Sequence, residues 1–247
     1  MKNLLNKFKI LQDELVEIVE ELKEMPAGHL VKKSNYYYQR IGSKDIGITR
    51  QPELICTLCR KKYLLVRKDQ LETNFSSLSK DPSKIDLRSK KELISSFPRA
   101  YQDLSISNFY HPTIKSWIAN EYPKHPYPSK EQNYTVESGT QLRSKSEYLI
   151  ASQLENYGLP YRYEAKLMLG EKAEYPDFTI KNPFTGKTIL WEHFGALHMP
   201  AYEQKMNEKM NLYLKFGYIP FETLVYTFEF QVQDIQRLKE LIEDTIL

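Results

Sequence analysis

Two acidic residues stand among apolar neighbours in two nearby segments. Asp177 lies in residues 175–180, Tyr-Pro-Asp-Phe-Thr-Ile, and Glu192 lies in residues 189–195, Ile-Leu-Trp-Glu-His-Phe-Gly. Residues 181–188 contain Asn-Pro and Thr-Gly, which are typical of turns, so the two segments are predicted to be adjacent antiparallel strands. This pairing brings the two carboxylates together, which is unfavourable unless a cation lies between them. Oxygen ligands favour Mg²⁺ or Mn²⁺, and both ions assist phosphoryl transfer.

The composition is that of a folded, water-exposed protein. The 247 residues are 41% hydrophobic and 27% charged, enough for one large or two small domains. Cys56 and Cys59 are the only cysteines, which excludes a disulfide framework and favours a cytoplasmic location. Half a zinc site is the most that this pair provides, and packing is the expected role. Residues 1–24 contain no long apolar run, so neither a signal peptide nor a membrane span is expected.

Charge is unevenly distributed along the chain. Residues 1–130 carry 23 Lys and Arg against 15 Asp and Glu, and residues 131–247 carry 12 against 17. A basic first half would suit contact with phosphates, but on charge alone an ordinary solvated surface is the preferred interpretation. Candidate nucleic-acid contacts are Lys32, Lys33, Arg40, Lys44, Arg143, Lys145 and Lys205.

The patterning predicts an α+β protein in two parts. Residues 1–128 are expected to form a helical module with a β-hairpin at 29–49 and a Pro-rich surface linker from residue 97. Its first helix carries a heptad seam that would pack against a second helix at 52–78 or dimerise the chain as a coiled coil. The seam consists of Leu4, Phe8, Leu11, Leu15, Ile18 and Leu22.

Residues 129–247 are expected to form a second domain with the order helix, three strands, helix, strand. The predicted elements are a helix from Ser144 to Tyr157, strands at 161–169, 175–180 and 188–194, a helix at 200–216, a strand at 223–228 and a terminal helix at 233–246. Within the first helix, Glu147 follows Ser144 by three residues. This spacing is a capping box, so the glutamate has a structural explanation as well as a catalytic one.

This order, with Glu147, Pro176-Asp177 and Glu192, resembles the PD-(D/E)xK nuclease superfamily, whose fold is restriction-endonuclease-like. The resemblance covers residues 140–230. It implies a divalent-metal-dependent nuclease, acting on DNA rather than RNA, with Asp177, Glu192 and Glu147 around Mg²⁺ or Mn²⁺. The Trp-Glu-His run at 191–193 is similar to a bacterial and phage subgroup.

One position departs from the family pattern. The strand lysine expected two residues after Glu192 is Phe194. In some members this lysine moves to the following helix, where Lys209 is the expected replacement and Lys205 the second choice. His193 is a further catalytic candidate if the strand bends at Gly195, although strand alternation favours a hydrogen bond across the sheet.

The missing strand lysine leaves a second hypothesis open. The chain would then be an inactive nuclease-like fold that binds nucleic acid or protein as a regulator or inhibitor. Expected partners under either hypothesis are nucleic acid, an unidentified protein or a second copy of the chain, and not a membrane.

Overall fold

The chain divides into two compact units, Met1–His111 and Pro112–Leu247. The structure, a computed structural model, describes residues 2–78, 80–126, 133–195 and 200–246. The division falls earlier than the predicted boundary at 128/129, which lies outside the described residues. The reason is that residues 112–126 pack on the second unit. There the Arg162 guanidinium lies 4.4 Å from the Trp117 ring centroid and donates to the Trp117 carbonyl at 2.7 Å.

The first unit combines helices with a small antiparallel sheet. Its elements are α1 (Lys2–Lys23), β1 (His29–Lys33), β2 (Tyr36–Ile41), β3 (Lys44–Gly47), α2 (Pro52–Leu78), α3 (Lys90–Ser95) and α4 (Arg99–Gln102). The sheet order is β1-β2-β3. The predicted single hairpin is therefore a three-stranded meander, because Ser34 adopts a φ of 53° and turns the chain a second time.

Helices α1 and α2 form an antiparallel pair, as the seam predicts. Phe8 of α1 contacts Phe75 of α2 with ring centroids 5.0 Å apart. Further along the pair, Arg67 of α2 makes a two-pronged ion pair with Glu14 of α1, with both contacts at 2.8 Å. Ile18 on the seam is buried. The heptad residues thus have a partner inside the chain, and dimerisation stays an untested prediction.

Residues 97–120 are not the surface linker that their prolines predict. Phe97, Tyr101 and Phe109 are buried, and their rings contact one another. Pro98 and Pro112 stand at the N-caps of short helices, where a missing backbone N–H costs nothing. Before them, residues 81–96 contain a 3₁₀ turn at Pro82–Lys84 followed by α3.

The second unit contains the elements around the candidate acids. They are α5 (Thr113–Ala119), β4 (Tyr134–Thr135), β5 (Gln141–Leu142), α6 (Lys145–Asn156), β6 (Tyr161–Tyr163), β7 (Leu167–Leu169), β8 (Lys172–Glu174), β9 (Phe178–Lys181), β10 (Thr188–Phe194), α7 (Pro200–Lys215), β11 (Leu224–Phe228), α8 (Glu229–Val232) and α9 (Ile235–Thr245). Mixed helix and sheet agrees with the α+β prediction.

A four-stranded sheet with the order β11-β10-β9-β6 forms the centre of this unit. Strands β6, β9 and β10 are antiparallel neighbours, and β11 runs parallel to β10. Trp191 packs in a buried cluster with Ile150 of α6 and Ile242 of α9. Leu190 packs instead with Tyr213 of α7. Because successive strand residues face opposite sides, α7 covers one face of the sheet and α6 and α9 cover the other.

The predicted strand at 161–169 is interrupted. Glu164 has a φ of 47°, a conformation that a strand does not contain. The chain leaves the main sheet there, and β7 pairs with β8 as a separate hairpin. The predicted strand at 188–194 and the predicted antiparallel pairing with the preceding strand are confirmed. Across the described ranges, the helices lack an apolar stretch of membrane-spanning length.

Candidate functional site

Strand pairing sets the two acids against each other. Trp191 of β10 pairs with Phe178 of β9 in antiparallel register. Extending that register by one residue places Asp177 opposite Glu192, and directly opposed residues project to the same face. Asp177 is held between neighbours at the start of β9: its carbonyl accepts from the Glu164 amide at 3.1 Å. Its carboxylate accepts from the His193 amide at 2.6 Å.

Glu192 is buried and fully engaged. Its side chain is 2% exposed, and the Lys209 ammonium lies 2.7 Å from Oε1 and 2.8 Å from Oε2. The Tyr213 hydroxyl donates to Oε1 at 2.5 Å. Burial raises the pKa of Glu192, and this effect exceeds the opposing influence of Lys209 and Tyr213. The ion pair and the short phenol hydrogen bond therefore compensate part of the cost of placing this carboxylate under α7.

Asp177 has less compensation. The protein packed around it and the Glu192 carboxylate together raise the pKa of Asp177 to about 8, against the opposing effects of Lys209 and the His193 amide. A carboxyl group with this pKa is largely protonated at neutral pH unless positive charge arrives. With both acids ionised, the two carboxylates and one ammonium leave this site with more negative than positive charge.

Lys209 lies at the site and Lys205 does not. On α7 the Lys209 ammonium also donates to the Tyr175 carbonyl at 3.3 Å. Burial lowers the pKa of Lys209, but Glu192 and Asp177 outweigh burial and leave the pKa above its usual value. Lys205, one turn earlier, is exposed. The helix therefore supplies an ammonium to the face of the sheet that carries Glu192 and Phe194.

Glu147 is occupied by helix capping. Its Oε2 accepts from the Arg143 amide at 3.0 Å and from the Ser144 amide at 3.2 Å, while the Ser144 hydroxyl accepts from the Glu147 amide. The Tyr163 hydroxyl donates to the same Oε2 at 2.8 Å. The structure thus gives Glu147 the capping role that its spacing from Ser144 indicates and adds a contact to β6.

His193 faces the side of the sheet opposite Glu192. Its Nδ1 lies 3.2 Å from the Thr227 hydroxyl, and its Nε2 lies 3.1 Å from Glu229. Trp191 Nε1 donates to the same Thr227 oxygen at 3.0 Å, and the Ser146 hydroxyl donates to Glu229. The side chain thus contacts the neighbouring strand β11 on the face opposite Glu192, as strand alternation predicts. On the other face, the backbone amide of His193 contacts Asp177.

Most of the predicted nucleic-acid contacts are already paired. Lys32 binds Asp103 at 2.6 Å, and Lys33 and Arg40 both bind Asp45, at 2.6 and 2.7 Å. Arg143 pairs with Glu164. Lys44, Lys145 and Lys205 are exposed. The meander therefore presents less free positive charge than its composition implies.

Sequence reasoning missed two contributors to this site. Tyr213 follows Lys209 by four residues, so both lie on one face of α7, but nothing in the sequence shows that its hydroxyl reaches Glu192. Glu174, which ends β8, is close enough to Glu192 to raise its pKa further. Its proximity depends on the β7–β8 hairpin, which the uninterrupted strand prediction hid.

The donor set fits a hard divalent cation in part. Asp177 and Glu192 offer carboxylate oxygens on one face, and the raised pKa of Asp177 shows a deficit of positive charge. Mg²⁺ is often held by one or two carboxylates together with water and substrate phosphate. The described residues contain no cluster of three or more His, Cys, Asp or Glu side chains arranged to hold a metal. Any further ligand would be a backbone oxygen, water or substrate.

Comparison with known proteins gives little further guidance. An uncharacterized protein of Methanocaldococcus jannaschii, MJ1519, is 34% identical over 86 residues, which is 34% of this chain and 7% of that protein. The chain therefore matches a small part of a much longer relative. No family model matches the chain. No solved structure matches it.

Proposed function

We propose that this chain is a divalent-metal-dependent nuclease that hydrolyses phosphodiester bonds, with DNA rather than RNA as substrate. The observation that supports the proposal most is the contact between Lys209 and Glu192 beside Asp177. Two carboxylates and an ammonium on one buried sheet face are the groups that metal-assisted phosphodiester hydrolysis requires. The helix, three antiparallel strands, helix and parallel strand also agree with the proposed restriction-endonuclease-like core.

Each residue has a distinct role in this proposal. Asp177 and Glu192 would hold Mg²⁺ or Mn²⁺, which when bound lowers the pKa of water and offsets phosphate charge. Lys209 positions the attacking water and balances negative charge that develops on the phosphate. Tyr213 fixes the orientation of Glu192 through its 2.5 Å hydrogen bond. The His193 amide fixes that of Asp177.

The test compares Asp177→Asn and Glu192→Gln with the control Glu203→Gln, which alters an exposed glutamate of helix α7. Nicking of supercoiled plasmid is measured with Mg²⁺, Mn²⁺ or EDTA. We expect metal-dependent nicking that both site variants abolish and the control retains. Thermal unfolding with and without Mn²⁺ gives a second readout, because a cation that binds the folded state raises its stability. Nicking that survives both site substitutions would falsify the proposal.

A second function, an inactive fold that binds nucleic acid or protein, has one observation in its favour. Both oxygens of Glu192 already have donors in Lys209 and Tyr213. A cation would have to share them. Tight nucleic-acid or protein binding without nicking, and with no Mn²⁺-induced change in unfolding temperature, would favour this function over the enzyme.

For the first unit, we retain the proposal of a module that binds nucleic acid or a protein partner. Lys44 at the start of β3 and Tyr36 at the start of β2 are exposed and support contact with phosphate and base. A phosphate-contacting surface requires that affinity falls as salt rises. Binding that is indifferent to salt would exclude this role.

A further inference from the structure

Six aromatic side chains form a continuous row on the second unit. Proceeding from α7 to the sheet edge, the ring centroids of Tyr202 and Phe194 are 6.4 Å apart, and those of Phe194 and Phe228 are 6.3 Å apart. From Phe228 the row branches to Phe230 at 6.2 Å and to Tyr226 at 5.9 Å. Tyr226 contacts Phe221 at 5.1 Å. We call these residues the aromatic row.

The aromatic row lies on the same side of the sheet as the acids. Parallel pairing sets Tyr226 beside Glu192 and Phe228 beside Phe194. Paired residues of neighbouring strands project to the same face, so Tyr226 and Phe228 project to the face that carries Glu192 and α7. Strand β11 is the last strand of this sheet. The row therefore runs from the carboxylates to an open edge.

The outer rings of the row are accessible. Phe230 is 63% exposed and Phe221 is 50% exposed, and both are large apolar side chains. The Phe228 and Phe230 rings are nearly parallel, at 14°, which leaves a flat face at the end of the row. A contiguous exposed apolar patch marks an interaction site more often than chance exposure. Burial within this unit does not explain these two rings.

We infer that the aromatic row is a stacking platform for unpaired bases, and that the site acts on single-stranded or locally unpaired nucleic acid. This inference rests on the proposed function and specifies its substrate. Bases in a duplex cover each other's faces, so only unpaired bases can stack on protein rings. Because the row begins beside Glu192, a strand stacked on it would pass the acids.

Position favours nucleic acid over a protein as the occupant, and one exposed lysine lies beside the row. A protein seated on the row would also cover the approach to Asp177 and Glu192, which would block the proposed chemistry. Lys205, exposed on α7 three residues after Tyr202, is available for a phosphate of a strand that lies along the row. Aromatic rings beside a cation are the arrangement found in proteins that bind single strands.

The test measures binding of a fluorescent oligonucleotide, as a single strand and as a duplex, by anisotropy in EDTA. Phe230→Leu keeps apolar bulk but removes the ring, and Phe230→Trp keeps a ring. Ile118→Ala is the control, because Ile118 is 62% exposed in the same unit and lies outside the row. Circular dichroism verifies folding of each variant. A Phe221→Leu variant repeats the comparison at the other exposed ring.

We expect single strands to bind more tightly than duplex, and Phe230→Leu to weaken single-strand binding roughly tenfold. Phe230→Trp and Ile118→Ala should bind like the unmodified chain. Equal affinity for duplex and single strand, unchanged affinity of both leucine variants, or no binding of either nucleic acid would overturn the inference.

The anisotropy measurement separates this inference from the proposed function, because it uses no metal and needs no cleavage. Ring-dependent binding of single strands without metal-dependent cleavage would refute the nuclease and leave the stacking platform. Metal-dependent cleavage of duplex at a rate unchanged by the leucine substitutions would refute the stacking platform and leave the nuclease.

Discussion

At the scale of single residues, the central feature is an excess of acid around one ammonium. Glu192 has Lys209 and Tyr213 as partners, whereas within the described ranges the Asp177 carboxylate accepts a hydrogen bond only from a backbone amide. Burial raises the pKa of both carboxyl groups, and that of Asp177, which has the weaker set of partners, is raised to about 8. Burial first, and the balance of charge after it, determine how this site responds to pH and to cations.

Asp177→Asn should remove a pH-dependent loss of stability. Because the pKa of Asp177 is about 8 when folded, well above its usual 3.8, the folded chain binds a proton more tightly than the unfolded chain does. Raising the pH from 4 to 8 therefore destabilises the unmodified chain by up to about 1.4 kcal/mol per pH unit. We expect the advantage of the Asn variant to increase through that window and to level off above it.

Urea unfolding in EDTA at several pH values measures this difference. Addition of Mg²⁺ at pH 8 should reverse the order of stability, because a cation stabilises the ionised carboxylate of the unmodified chain. A stability difference that stays constant from pH 4 to 8 would show that the carboxyl does not carry the raised pKa.

Lys209→Met should have effects that Lys215→Met lacks. Removing the ammonium leaves the buried Glu192 carboxylate without its counter-charge, at a cost on the order of 3 kcal/mol. Nicking should fall by about 10²-fold or more, as on loss of a group that stabilises the transition state. Lys215, exposed in the last turn of the same helix, should tolerate the same change within about 0.5 kcal/mol. Thermal unfolding and initial nicking rates test both variants, and equal effects would reject the assignment of Lys209.

At the scale of elements, α7 and α6 pack on opposite faces of the sheet whose strand β10 carries Glu192. The Ser144–Glu147 capping box fixes the start of α6, and Tyr163 ties it to β6. Both the cap and the bounds of β10 could be predicted from the sequence, because each depends on residues close together in the chain. The placement of Tyr213 against Glu192, 21 residues away, could not, since it depends on how α7 packs.

Glu147→Gln should keep α6 intact, whereas Glu147→Ala should not. Glutamine accepts the same hydrogen bonds in a capping box, so we expect its stability to stay near that of the unmodified chain. Alanine should cost about 1 kcal/mol. The nicking rate of the Gln variant should be retained. If nicking is lost while unfolding is unchanged, the carboxylate belongs to the metal shell and its role is more than capping.

At the scale of the whole molecule, the chain consists of two compact units. The first buries Arg67 with Glu14 between its two long helices. Ion pairs also explain why the candidate nucleic-acid contacts of this unit are only partly available in the structure. Lys32 pairs with Asp103, 71 residues further on, and no local pattern in the sequence reveals that partner. The prolines of residues 97–120 predicted a surface linker because no local pattern shows that Phe97, Tyr101 and Phe109 pack against one another.

Glu14→Ala should destabilise the first unit selectively. Removing one partner of a buried ion pair leaves Arg67 uncompensated, at a cost of about 3–5 kcal/mol. Hydrogen exchange should show loss of protection for α1 and α2 amides, with β10 amides unchanged, because separate cooperative units open separately. A matched Glu17→Ala variant alters an exposed glutamate of the same helix. Parallel loss of protection in β10 would show that the two units unfold as one.

The hydrogen bonds on the face of β10 opposite Glu192 determine which nitrogen of His193 carries a proton. The Trp191 indole can only donate, so Thr227 accepts from it and has its own hydroxyl hydrogen to give. Directing that hydrogen to His193 Nδ1 leaves the proton on Nε2, where it meets the Glu229 carboxylate. The imidazole is thus expected to be locked as a single Nε2–H tautomer, which ¹⁵N chemical shifts of the ring distinguish from the alternative.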